Sequence, residues 1–180
     1  GATTTFASCM TWSIPTLTIS FFVCACYLIP ALAFMKSFHT VPRFCMYFGI
    51  IYLGTVVNVF VNQLAATVTP SPMIHTLVFP GMVVPVQAIF SGFAVLTSTM
   101  FPWIRWGVNV NSMKWVLNGL FQIDLKENDS ALGTYDFEDL EELYGWDASI
   151  VECFAYTILS AAVMLFLSFV CMKFIQFNKA

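Results

Sequence analysis

An all-α membrane protein with four spans is the fold class this sequence predicts, and three observations carry the prediction. Hydrophobic residues make up 59% of the chain and charged residues only 9%, whereas soluble domains are about a quarter charged. Four apolar runs are long enough to cross a bilayer core about 30 Å thick, which takes roughly 20 residues of helix. All ten Asp and Glu residues fall between Asp124 and Glu152, so the negative charge is confined to one polar stretch. A mean hydropathy of +0.81 leaves no water-packed core able to absorb the rest.

Residues 1–12 are small, Thr-rich and weakly polar. No charged segment or cleavage site precedes the first apolar run, so this is not a signal peptide, and the chain is expected to be a piece of a longer protein. The first span is placed at 14–34, which at 1.5 Å per residue reaches about 32 Å. Pro15 is expected in its first turn, where a missing N–H costs nothing, and Pro30 is expected to kink its far end.

Residues 35–43 form a tight hairpin turn in which Lys36, His39 and Arg43 read as boundary residues and Pro42 stops and restarts the helix. No carboxylate near His39 in sequence makes it a base. The second span, 44–69, carries Asn58, Asn62 and Gln63. Asn58 and Asn62 are four apart and share a face. Amides are costly in hydrocarbon unless paired, so that face is expected to meet another helix or line a cavity. Interhelical hydrogen bonding and substrate contact are both open to it.

Thr69-Pro70-Ser71-Pro72 breaks the helix before a third span at 73–96, interrupted by Pro80, Gly81 and Pro85 and with His75 at its boundary. Membrane helices carry such breakers where neighbours or a cavity satisfy the freed carbonyls. Residues 97–121 cannot be a full span, because Arg105, Asn109, Asn111 and Lys114 are spread through them. Trp103, Trp106 and Trp115 suit a headgroup region. Two short helices, re-entrant or interfacial, are expected around a turn at 109–112.

Residues 122–149 form the acidic loop, whose Asn128-Asp129-Ser130 is the one glycosylation sequon. A used sequon at Asn128 places this loop outside. The fourth span, 150–172, precedes a tail with Lys173 and Lys179. Four spans put both ends on one side, cytoplasmic if the loop is outside. The cation count points the other way, since Lys36, Arg43, Arg105, Lys114 and Lys126 fall on the loop side. The sequon and the acidic loop are given more weight, because several of those cations lie in the membrane-dipping segment.

The seven Lys and Arg residues are scattered, so no basic face for nucleic acid can be built. The six cysteines read as small buried hydrophobes, and Cys24-Ala25-Cys26 lacks metal-ligand spacing. No metal or catalytic site is expected.

The order Ala65-Ala66-Thr67-Val68-Thr69-Pro70-Ser71, then Phe90-Ser91-Gly92-Phe93, then Pro102-Trp103-Ile104-Arg105-Trp106, then Trp115 with Gly119-Leu120, resembles the permease domain of G-subfamily ATP-binding-cassette exporters. The full-length pleiotropic-drug-resistance type is the nearest in pattern, its second half having Tyr-Gly before the last span and a Phe-Asn tail, as in Tyr144-Gly145 and Phe177-Asn178-Lys179. The resemblance implies that the chain, residues 1–180, is a partial transmembrane domain holding spans three to six of a six-span half. It further implies re-entrant helices before the acidic loop and a central cavity lined by the fifth span, here through Val78, Met82, Pro85 and Ile89. A paired-leucine plug closes that cavity in the family; Phe93 and Ala94 occupy its positions. Ser-Pro at the second re-entrant helix is replaced by Asn111-Ser112, and the outer loop lacks the cysteines of some half-size relatives.

On that resemblance the function is export of amphipathic, lipid-like or xenobiotic small molecules, in a plasma membrane; the Asn58 and Asn62 face is a further candidate for contact with them. No Gly-x-x-x-x-Gly-Lys-Ser/Thr loop occurs, so ATP and Mg²⁺ would be held by nucleotide-binding domains outside this chain. Those domains, a second transmembrane half, the bilayer and a hydrophobic substrate are the implied partners. Two competing readings are an intramembrane enzyme, for which residues 14–96 offer no Asp, Glu or paired His, and a non-transporting scaffold or channel subunit whose amides only join helices.

Overall fold

In the computed structural model the described residues are 2–34, 41–69, 71–92, 94–125, 144 and 148–175. They form α1 (Ala2–Phe34), α2 (Val41–Val68), α3 (Pro72–Val78), a π-helical turn (Phe79–Val83), α4 (Val84–Ile89), a 3₁₀ turn (Thr97–Thr99), α5 (Trp106–Val110), α6 (Ser112–Leu125) and α7 (Ile150–Phe174). No strand occurs among the described residues. This is the helical solution that hydrocarbon demands, because every backbone polar group must be satisfied within its own segment. Three stretches are long and apolar enough to cross a membrane: Met10–Pro30 within α1, Val41–Val68 and Ile150–Phe174. The protein is a multi-pass membrane helix bundle.

Helix α2 is the central post, with α1, α6 and α7 packed around it. Glycines allow the closest approaches, as in other membrane bundles. A Cβ built on Gly54 of α2 would lie 2.8 Å from Val116 Cγ2 of α6, and one on Gly119 of α6 would lie 3.0 Å from Ile50 Cγ1. The resulting core joins Leu28, Tyr47, Ile50, Trp115, Val116, Ile123 and Cys153, and a second cluster joins Val57, Phe60 and Ala161. Phe21 of α1 meets Phe48 and Tyr52 of α2 edge to face at 5.1 and 5.4 Å, a favoured arrangement for aromatic quadrupoles.

Helix α1 starts well before residue 14, so Pro15 lies inside it and not in its first turn. Thr-rich sequence does not stop a helix when the hydroxyl can bond back one turn, as Thr16 and Thr18 do to the carbonyls of Trp12 and Ile14. Pro42, by contrast, falls in the first turn of α2.

The third apolar run is helical from Pro72 to Ile89 and stops short of residue 96. Its π-helical turn contains Pro80 and Gly81 and ends two residues before Pro85; each proline removes a backbone donor and pushes on the carbonyl four residues back. At its end Ser91 Oγ donates to the Ala88 carbonyl at 2.6 Å and Gly92 takes φ 81°. That left-handed turn suits Gly, which has no Cβ to clash.

Two helices, α5 and α6, lie on either side of Asn111, and α6 runs on past residue 121 to Leu125. Helix α7 opens with a capping box: Glu152 N–H donates to Ser149 Oγ, and Ser149 N–H donates to Glu152 Oε2 at 2.8 Å.

Candidate functional site

The breaker-rich run between α2 and the aromatic hairpin presents two different faces. On one, Met82, Pro85 and Ile89 are exposed, Met82 by 65%. The side chain of Val78, all of Phe93, and Asn128 in the acidic loop lie outside the described residues. Ala94 is exposed beside the Gly92 turn.

The other face, formed by Val86, Gln87 and Phe90, closes one side of a cavity of about 460 Å³. Opposite it stand Val57 and Val61 of α2 and Tyr156, Leu159, Ser160, Val163 and Met164 of α7, with the α5–α6 hairpin across one end. Met82, Pro85 and Ile89, expected with Val78 to line a central cavity, do not line this hollow. They sit about a third of a turn around the helix from Val86, Gln87 and Phe90.

Contacts within the hairpin and to its neighbours hold it in place. Asn111 Nδ2 donates to the Gln87 carbonyl at 2.6 Å, while its Oδ1 accepts from Met113 N–H. Trp115 Nε1 donates to the Asn109 carbonyl at 2.9 Å. The Trp115 ring stacks on Tyr156 of α7 at 4.1 Å between centroids. Gly107 completes the seam: a Cβ there would be 2.8 Å from Phe90 Cε1, so the Phe90 ring lies directly on the α5 backbone. The sequence marked Trp115 as a headgroup residue, yet it is buried, while Trp103 and Trp106 are exposed. Aromatic residues belong to both settings, and sequence alone does not separate them.

The expected amide face also divides. Asn58 Nδ2 donates to the Gly54 carbonyl of its own helix at 3.0 Å. Asn62 is exposed and borders a separate hollow between α1, α2 and the end of α7, with Gln63, Thr16 and Trp12. The interhelical amide bond is made by Gln63, whose Oε1 accepts from Ser13 Oγ of α1 at 3.0 Å.

Two cations, Arg43 and Lys114, are buried against other helices and loops. Arg43 Nη2 donates to the Ile123 carbonyl near the end of α6 at 2.9 Å, where the last carbonyls of a helix lack intrahelical donors. Lys114 Nζ donates to Asn109 Oδ1 at 2.9 Å and lies 5.0 Å from the Trp115 ring centre. Cys24 and Cys153 are buried as expected, whereas Cys26 and Cys45 are exposed on the helix surfaces. Among the described residues no cluster of His, Cys, Asp or Glu is arranged to hold a metal ion.

The arrangement offers surfaces and cavities for apolar molecules, with amides at chosen points. A family model described as ABC-2 type transporter matches residues 2–125, which run from α1 through the aromatic hairpin to the end of α6. No curated protein matches the chain.

Proposed function

The chain belongs to the ABC-2 type transporter family, and on that premise we propose that it is the permease part of an ATP-driven exporter of amphipathic, lipid-like or xenobiotic small molecules. The observation that carries the reading is the third apolar run. It packs on the bundle through α2 and α6, it is interrupted by a π turn, and it leaves Met82, Pro85 and Ile89 exposed. π turns concentrate at functional sites because they loosen a helix locally. An exposed apolar face in such an element suits a wall shared with a second transmembrane half.

In this reading Val78, Met82, Pro85 and Ile89 line a central cavity, with Asn58 and Asn62 contributing polarity from α2, and Phe93 with Ala94 forms the outer gate. The third run is a fourth span, the hairpin of α5 and α6 is re-entrant, and residues 122–149 form an outer loop glycosylated at Asn128. The C-terminus is cytoplasmic and the membrane is the plasma membrane. Nucleotide-binding domains hold ATP and Mg²⁺ and drive the walls between inward- and outward-open arrangements. The overall type is full-length pleiotropic drug resistance, with this chain in the second half.

Efflux and substrate-stimulated ATPase activity in the whole transporter test the reading. Met82→Trp should lower efflux of bulky substrates, and Phe93→Ala should uncouple ATPase from efflux. Both activities unchanged across several substrates would remove the cavity and gate roles and favour a scaffold or channel subunit. Glycosidase sensitivity of Asn128 and protease access to the acidic loop test the orientation; cleavage from the cytosolic side alone would invert it.

A further inference from the structure

We propose that the cavity between α2, α4, α7 and the α5–α6 hairpin is a binding site for an uncharged amphipath from the bilayer, with a hydroxyl-bearing head and a single apolar chain. It is distinct from the Met82–Ile89 face, and the inference does not depend on the direction or the substrate of transport.

The cavity is polarised along its length. Beside the hairpin the lining residues include Gln87 and Tyr156, whose side-chain amide and hydroxyl have no hydrogen-bond partner among the described residues. Their positions are set by neighbours, because the Gln87 carbonyl takes the Asn111 amide and the Tyr156 ring is stacked on Trp115. Away from the hairpin the walls are Val57, Val61, Val163 and Met164. A head able to donate and accept fits the first end, and a hydrocarbon chain fits the second.

The head must be neutral. Among the described residues no Asp, Glu, Lys, Arg or His lines the cavity, and the nearby Lys114 ammonium is held by Asn109 Oδ1 and the Trp115 ring. An ionised head would enter an apolar space with no counter-charge, which is strongly unfavourable. The source is the bilayer, because Val86, Leu159 and Val163 are exposed at the rim and open the cavity sideways on the apolar helix surface. A volume of about 460 Å³ falls within the range of small-molecule sites, roughly 300–1,000 Å³.

Photolabelling of the membrane-embedded protein tests the site, with a long-chain alcohol carrying a terminal diazirine as probe and the matching fatty acid as comparison. Saturable labelling by the alcohol is expected on peptides containing Val57 to Val61 and Val163 to Met164, with competition by unlabelled alcohol. Ser160→Phe fills the apolar part and should weaken labelling about tenfold. Gln87→Leu removes one head contact without filling space and should weaken it about fivefold. Circular dichroism and thermal unfolding confirm that each variant is folded. Labelling that is absent, that rises without saturation, or that persists unchanged in both folded variants overturns the site. Equal labelling by the fatty acid overturns the uncharged head.

Discussion

Trp115 of α6 and Tyr156 of α7 stack with ring centroids 4.1 Å apart and planes inclined by 15°. The contact joins the aromatic hairpin to the last span at the point where Trp115 also donates to the Asn109 carbonyl. One ring thus holds the hairpin turn closed and attaches it to the bundle.

Replacing Trp115 by Ala should therefore be among the costliest changes in the chain, about 3–5 kcal/mol for a buried large aromatic. Within that loss, a double-mutant cycle with Tyr156→Ala should return a coupling of about 0.5–1.5 kcal/mol, the part belonging to the ring pair itself. Unfolding of the purified protein in detergent measures both. A coupling near zero would mean that the stack is geometrical only.

Arg43 ties the start of α2 to the end of α6 through the Ile123 carbonyl. Arg43→Met keeps the apolar stem but removes the donor, and should destabilise by about 1.5–3 kcal/mol, the range for hydrogen bonds involving a charged group. Arg43→Lys should recover part of that, since it retains a cationic donor but not the fork geometry. If Met and Lys behave alike, the stem and not the bond is what matters.

At Gly54 a Cβ would come within 2.8 Å of Val116 Cγ2, too close without movement of α2 or α6. Gly54→Ala is expected to cost about 1–3 kcal/mol by overpacking. Val116→Ala in the same molecule removes the opposing methyls and should restore much of the stability. The rescue, read by thermal unfolding, separates a helix-crossing clash from any intrinsic effect of alanine in the helix.

The capping box at the start of α7 makes a smaller claim. Ser149→Ala should cost about 0.5–2 kcal/mol and fray the first turn, seen as faster amide exchange at Glu152 and Cys153. Cys153 N–H already bonds to the Ser149 carbonyl, so exchange further along α7 should hardly change.

The sequence by itself determined the class of this protein. Long apolar runs with few charges must be buried in lipid as helices, and the spread of Arg105, Asn109, Asn111 and Lys114 must break the hydrophobic pattern into short pieces, as α5 and α6 do. The order of motifs from Ala65 through Trp115 also carried a family resemblance, and the family match covers that stretch. Tertiary structure alone decided which side of each helix matters. Sequence spacing puts Asn58 and Asn62 on one face, but Asn58 bonds its own backbone and Gln63 reaches α1 instead. It likewise gave no means of telling a buried Trp115 from an exposed Trp103, or a buried Arg43 from a cation at the membrane edge. In a bilayer, apolar side chains suit lipid and protein equally well, so hydrophobic periodicity loses the inside–outside contrast that it has in water. Helix faces are then chosen by close packing at Gly54, Gly107 and Gly119 and by a few polar bonds to distant carbonyls, relationships that exist only once the helices are side by side.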